Sequence, residues 1–160
     1  MKSLKWSDRT KEWISKRVFD SSDDVQYGSS CIFVPLTKKI GAKIYFDGSN
    51  RNFSHSNQIH AHSNGMGPRV GDKFEMNFLC ISEQNDERYV REAYKRKVYG
   101  YLTEIAEHVE TISRSDKMDI CKKLKSIGLK SHDLDARNLG RINGKLIVID
   151  FDMLTFRLPE

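Results

Sequence analysis

The sequence predicts a mixed α+β fold in which an antiparallel sheet is followed by a smaller helical part. Apolar, β-rich runs fall between Val25 and Ile105 and are parted by polar turn residues. Helical periodicity is confined to residues 7–19 before them and 113–127 after them. The end of the chain then carries a polar Asp/Asn loop and two short apolar runs around Asn143-Gly144. A chain of 160 residues supports one domain with a useful core, divided here into a sheet-rich part, 1–105, and a smaller part, 106–160.

Residues 7–19 read as a short amphipathic helix with Ser7 as N-cap and Trp13, Ile14 and Val18 near one face. Ser21-Ser22-Asp23-Asp24 breaks that pattern. Cys31-Ile32-Phe33-Val34 and Ile44-Tyr45-Phe46, separated by Thr37-Lys38-Lys39, predict a hairpin or meander. Residues 47–67 are polar, with a short helix beginning near Ser54. Gly65-Met66-Gly67-Pro68-Arg69-Val70 reads as a turn into a strand, and Phe74-Glu75-Met76-Asn77-Phe78 alternates as a half-buried strand does. Residues 81–97 are highly charged and read as an insertion between strands, before a β-rich run from Val98 to Ile105. Ser113-Arg114-Ser115-Asp116 has capping-box spacing, Met118, Cys121, Leu124 and Ile127 recur at helical intervals, and Gly128 is the stop.

Lys and Arg outnumber Asp and Glu 27 to 22, and the net charge of +5 favours anionic partners without choosing among nucleotide, nucleic acid and acidic protein. Arg88, Arg91, Lys95, Arg96 and Lys97 interleave with Tyr89, Tyr94 and Tyr99. Such a segment suits nucleic acid, or the solvated face of a helix or long hairpin. Glu87 and Glu92 dilute it, which favours the solvated face. His55, His60 and His62 lack the spacing of a zinc site and read as a polar helix or loop. No apolar run is long enough to cross a bilayer, and the N-terminus has no apolar signal core. Three widely spaced cysteines fit reduced thiols, so the expected compartment is cytoplasmic.

The chemistry-bearing stretch is Ser131-His132-Asp133-Leu134-Asp135-Ala136-Arg137-Asn138-Leu139-Gly140, followed by Leu146-Ile147-Val148-Ile149-Asp150-Phe151-Asp152. Asp133 lies five residues before Asn138, and Asn138 twelve before Asp150. An Asp, an Asn and a strand ending in Asp suit phosphoryl transfer. The first accepts a hydroxyl proton, and the other two hold Mg²⁺ against a nucleotide's phosphates. If the intervening strands form, they return Asp150 beside Asn138. The alternative is a polar turn before a hairpin closed by Asn143-Gly144.

Residues 131–152 resemble the catalytic and metal-binding loops of the protein-kinase-like superfamily, which includes the aminoglycoside and choline phosphotransferases. Ile149-Asp150-Phe151-Asp152 is closer to the small-molecule kinases than to the D-F-G of protein kinases. The resemblance implies a protein-kinase-like α+β fold with an antiparallel-sheet N-lobe and a reduced helical C-lobe. It makes Asp133 the catalytic Asp, Asn138 and Asp150 the Mg²⁺ ligands, and Lys43 on Gly41-Ala42-Lys43-Ile44-Tyr45-Phe46 the residue that meets the α- and β-phosphates. Read without it, Lys43 is equally an edge-strand charge. The resemblance also puts Gly28 of Gly28-Ser29-Ser30 at the phosphates and Glu104 at the hinge beside the adenine base.

Two departures stand against that pattern. The family's helix Glu, partner of the lysine, has no counterpart in residues 47–67, where Gln58 could offer a hydrogen bond in its place. Only eight residues follow Asp152, which leaves no room for a peptide-binding lobe and suits a compact protein of a virus or mobile element, acting in the host cytoplasm. The leading expectation is an ATP- and Mg²⁺-dependent phosphotransferase acting on an unidentified hydroxyl acceptor. The second is a catalytically weak or inactive kinase-like module that binds and regulates a host or partner protein. A small nucleic-acid binder rests on charge alone. Exposed apolar edges leave room for a second copy of the chain.

Overall fold

The computed structural model describes residues 4–19, 23–83, 91–131, 134–152 and 154–156. His132, Asp133 and the centre of the charged segment, 84–90, lie outside them. Helix α1 (Asp8–Phe19) starts where Ser7 caps it: the Ser7 Oγ accepts from the Thr10 N–H at 3.2 Å, and its carbonyl from the Lys11 N–H. Ile14 is fully buried, while Trp13 turns outward beneath the Arg9 guanidinium.

Strands β1 (Gln26–Tyr27), β2 (Ile32–Pro35), β3 (Ile40–Tyr45), β4 (Val70–Glu83) and β5 (Arg91–Glu104) form one antiparallel sheet in the order β1-β2-β3-β5-β4. Both faces of its middle are covered, so the two-residue period of the strands sorts side chains into two different interiors. Ala42, Ile44, Val98 and Leu102 share an apolar cluster with Ile14, Phe74, Met76 and Phe78. The alternate set, Lys43 and Tyr45 on β3 with Tyr101 and Thr103 on β5, is equally buried but polar.

Helix α2 (Gly48–Ser63) follows β3 and meets that polar set with its buried Ser54, His55 and Gln58. It begins six residues earlier than the sequence suggests, because Asp47 caps it by accepting from the Ser49 and Asn50 N–H groups. The charged segment is also corrected. Residues 91–97 are strand, paired with β4 as far as Glu83↔Arg91, and together they make a long hairpin. Arg96 lies over the Phe46 ring, and Lys97 pairs with Glu75 at 2.7 Å and lies over Tyr99. Arg96 and Lys97 are thus engaged within the chain.

Beyond β5 come β6 (Glu107–His108), α3 (Arg114–Ser126), β7 (Leu129–Ser131), a 3₁₀ turn (Ala136–Asn138), β8 (Leu139–Ile142), β9 (Lys145–Val148) and β10 (Leu154–Phe156). Ser113 caps α3 through the Asp116 N–H, and Gly128 follows it at φ +78. The buried stripe of α3 is Ile120 and Leu124, with Ile127 half-buried; Met118 and Cys121 face outward, contrary to the sequence reading. That reading chose Met118 by spacing, but the short helix buries only the side that touches Leu129 and Leu139 in the second apolar cluster. Asn143 at φ 52 and Gly144 at φ 77 form the predicted tight turn between β8 and β9. Among the described residues the architecture is therefore mixed α+β, with a five-stranded antiparallel sheet and three α-helices. No described helix is long and apolar enough to cross a membrane.

Gly100 lies opposite Ile44, where a Cβ would press into the Phe74 ring and stand 2.7 Å from the Lys43 carbonyl oxygen. Gly100→Ala is therefore expected to lower the urea midpoint of unfolding substantially, by roughly 1–3 kcal/mol of overpacking. An unchanged midpoint would show that the sheet yields there without cost.

Candidate functional site: a cleft between the sheet and the Asp150 loop

Lys43 lies on β3, which has β2 on one side and β5 on the other. It is therefore an interior position, and the edge-strand alternative is excluded. The side chain is only 8% exposed, and its Nζ donates to the carbonyl oxygen of Ile149 at 2.7 Å, across 106 residues of sequence. Burial by itself works against the charge. The Tyr101 oxygen and the Asp150 carboxylate outweigh it and hold the ammonium above its usual value. The raised value means that Lys43 contributes its charge at all pH below the ordinary lysine range and loses it only above that range.

The Ile149 N–H donates to the Asn138 carbonyl at 2.9 Å, so Asp150 begins one residue beyond a direct bond to Asn138. This is the return expected from the β8–β9 hairpin, and it brings Asn138, Asp150 and Lys43 to one place. The segment around Asp150 is gripped along its length. The Val148 N–H bonds to Met66, the Phe151 carbonyl accepts from Asn57 Nδ2, and the Asp150 Oδ1 accepts from the Asp152 N–H at 3.1 Å. Phe151 is fully buried beneath this turn. Asp152 uses both oxygens, taking Tyr45 Oη at 2.9 Å on Oδ1 and Ser30 Oγ at 2.6 Å on Oδ2.

Between these elements lies a cleft of about 430 Å³. Gly28, Lys43 and Asp150 line one part of it, and Thr103, Glu104 and Ile105 another. Five of the six site residues expected from sequence are thus described. Gly28, Lys43, Glu104 and Asp150 line the cleft, and Asn138 is bonded to Ile149, which also lines it. The sixth, Asp133, lies outside the described residues.

No protein-family model matches the sequence, and no curated protein matches it. Among solved structures the chain is similar to WbdD, seen in a co-crystal with the kinase inhibitor LY294002. The TM-score is 0.46 and the identity 13%, over 82% of this chain and 33% of that one. The chain thus spans about a third of the length of that structure's chain.

Several expected roles change once the contacts are known. The Gly28 N–H closes its own turn on the Cys31 carbonyl, so it is not available to a ligand, and a Cβ at this position would stand 3.1 Å from that same carbonyl oxygen. The Glu104 N–H bonds to Arg69, whose own N–H returns to the Glu104 carboxylate. Gln58 does not stand in for the missing Glu. It accepts from Tyr101 Oη and donates to Thr103 Oγ1 at 2.6 Å, because its place on α2 faces β5 rather than Lys43. The histidines have structural roles: His55 packs edge-on against Tyr101, His60 meets the Ile127 carbonyl and His62 that of Gly67. Among the described residues no group of three His, Cys, Asp or Glu could hold a metal ion. Cys31 lines the cleft, but burial pushes its thiol up to about 11, only partly offset by Lys43, so it stays protonated at neutral pH.

Sequence reasoning missed Ser30, Tyr45, Ser54 and Tyr101. The one available signal was the i, i+4 spacing of Ser54 and Gln58, which puts both on one helical face.

His55 supplies a pH dependence. Burial lowers its value, helped by Lys73 and Arg51 and opposed by a hydrogen bond that the ring donates to the Gly71 backbone. The folded state therefore binds fewer protons than the unfolded chain. Its contribution is complete above the ordinary histidine value of about 6.5 and is lost as pH falls through the lower, folded value. The melting temperature should fall between about pH 7.5 and about pH 5.5, and His55→Gln should flatten part of that slope. Identical slopes for the two proteins would remove His55 as the cause.

Proposed function

We propose that this chain is a kinase-like, ATP- and Mg²⁺-dependent phosphotransferase that moves a γ-phosphoryl group to a hydroxyl acceptor. One observation supports the reading: the paired bonds Lys43 Nζ to Ile149 O and Ile149 N to Asn138 O, which bring the backbone of Asn138 beside a cleft lined by Lys43 and Asp150. A buried, fully charged ammonium beside Asp150 suits a phosphate-binding role. A carboxylate and a carboxamide are hard oxygen donors of the kind Mg²⁺ takes, and it needs few of them when phosphate and water complete its shell. The residues present therefore fit Mg-ATP.

In this reading Asn138 and Asp150 would hold the metal, and Lys43 would bind the α- and β-phosphates. Gly28 would let the nucleotide approach the β1–β2 turn, and the backbone near Glu104 would border the base. Bound Mg-ATP would supply the phosphoryl group and the positive charge that offsets its oxygens. Asp133 would orient the acceptor hydroxyl and take its proton.

A second reading has its own observation. Helix α2 carries no Glu, and the ammonium of Lys43 is tied to a backbone carbonyl instead of a carboxylate. That arrangement favours a kinase-like module with weak or no chemistry that acts by binding a partner protein.

Millimolar Mg-ATP is expected to raise the melting temperature, since a ligand that binds only the folded state stabilises it. Asp150→Ala should abolish most of the Mg²⁺-dependent part of the shift, and Asn138→Ala a smaller share. A melting curve indifferent to Mg-ATP would count against the nucleotide site itself. Asp133→Asn separates the two readings. In an enzyme it should spare Mg-ATP binding and slow phosphate transfer by roughly 10²- to 10⁴-fold. If the unaltered protein transfers no phosphate and Asp133→Asn captures partners equally well, the binding module is the better reading.

A further inference from the structure

Behind the cleft lies a line of buried hydroxyl and amide groups that the proposed chemistry does not use. Ser54 and Gln58 stand one turn apart on α2, and Tyr45 and Tyr101 on the facing strands. All four are fully buried. Tyr45 Oη is 2.8 Å from Ser54 Oγ, Ser54 Oγ is 2.9 Å from Tyr101 Oη, and Tyr101 Oη donates to Gln58 Oε1 at 2.9 Å. Tyr45 Oη also reaches Asp152 Oδ1. A phenol has one proton, so with that of Tyr45 given to Asp152 and that of Tyr101 to Gln58, Ser54 has a single proton to share between its contacts with Tyr45 and Tyr101. Burial pushes both phenols up, so both remain donors at neutral pH.

The line brackets Lys43. Tyr101 is its direct partner across the β3–β5 ladder, and Tyr45 lies two residues further along the same face. Its far end is Asp152, whose other oxygen holds Ser30 of the turn between β1 and β2. Helix α2 is thereby connected, without an ion pair, to the strand that carries Lys43, to the Asp150 loop and to the turn above the cleft.

We propose that Tyr45, held by Ser54 of α2, is a positioning residue that sets the Asp150–Asp152 loop for metal-bound nucleotide, in place of a helix carboxylate bound to Lys43. The inference rests on the nucleotide reading above. It predicts a loss confined to the metal-dependent part of binding, because Tyr45 acts on the acid-bearing loop rather than on Lys43 itself.

The test measures affinity for ATP with and without Mg²⁺, by titration calorimetry well below the melting temperature. Tyr45→Phe keeps the ring and removes the hydroxyl. The ratio of Mg-ATP to metal-free ATP affinity should fall by about tenfold, the usual size for a hydrogen bond to a charged group. In an Asp152→Ala background Tyr45→Phe should change that ratio less than about twofold, since partners in one interaction are not additive. Ser54→Ala, a smaller change, should lower the ratio in the same direction, and it replaces Tyr45→Phe if that variant does not fold. A merely structural role would lower the melting temperature and leave the ratio alone. If the unaltered protein binds Mg-ATP and the ratio is unchanged in Tyr45→Phe and Ser54→Ala, this inference is wrong and the nucleotide reading stands. If the unaltered protein binds no Mg-ATP, both fall together.

Discussion

Lys43 carries an ammonium into the interior of a β-sheet, where loss of hydration costs several kcal/mol unless partners meet the charge. The surrounding structure supplies those partners from three directions. The Ile149 carbonyl takes a direct hydrogen bond, Asp150 and Asp152 provide negative charge nearby, and the Phe151 ring lies 5.8 Å from Nζ. Apart from Tyr101, its neighbour across the β3–β5 ladder, these partners come from one short segment near the end of the chain. A charge placed on the third strand therefore requires that segment to lie beneath the sheet, and folding of the two parts is coupled through it.

The same constraint explains why α2 is an unusual core helix. Its inner face is built from Ser54, His55, Asn57 and Gln58, all buried, instead of an apolar stripe. A purely apolar helix there would take away the Ser54 and Gln58 partners of the Tyr101 hydroxyl and the Ser54 contact of Tyr45, and an unsatisfied buried hydroxyl is costly. The apolar face of the sheet is on the other side, where Ile14 of α1 shares one apolar cluster with Ile44 and Leu102. The sheet thus separates an apolar interior that contributes hydrophobic stability from a polar interior that fixes direction and distance. The cleft opens next to the second of these, where hydrogen bonds locate each group more narrowly than packing alone would.

The site is also closed upon itself. Asp152 holds Ser30, Lys43 holds Ile149, and the Gly28 turn is sealed by its own backbone bond. Such a network ties the strand of Lys43 and the turn of Ser30 to the one segment that carries Asp150. In the kinase-like reading, preorganisation of this kind is what phosphoryl transfer asks of a protein, because the chemistry depends on placement and electrostatics.

The sequence by itself determined the features that rest on local chemistry. Ser7 and Ser113 cap helices, Asn143-Gly144 turns a hairpin, and Phe74, Met76 and Phe78 alternate inward, because caps, left-handed turns and strand alternation need only neighbouring residues. The spacing of Asn138 and Asp150 was legible for the same reason, since a short hairpin must bring its ends together. The tertiary structure decided whatever depends on a distant partner. It turned Met118 and Cys121 outward, extended β5 back to Arg91, directed Gln58 to Tyr101 rather than Lys43, and made Tyr45 a partner of Asp152 across 107 positions. A tyrosine in a strand reads as packing until its hydroxyl has somewhere to go, and that destination lies on another part of the chain.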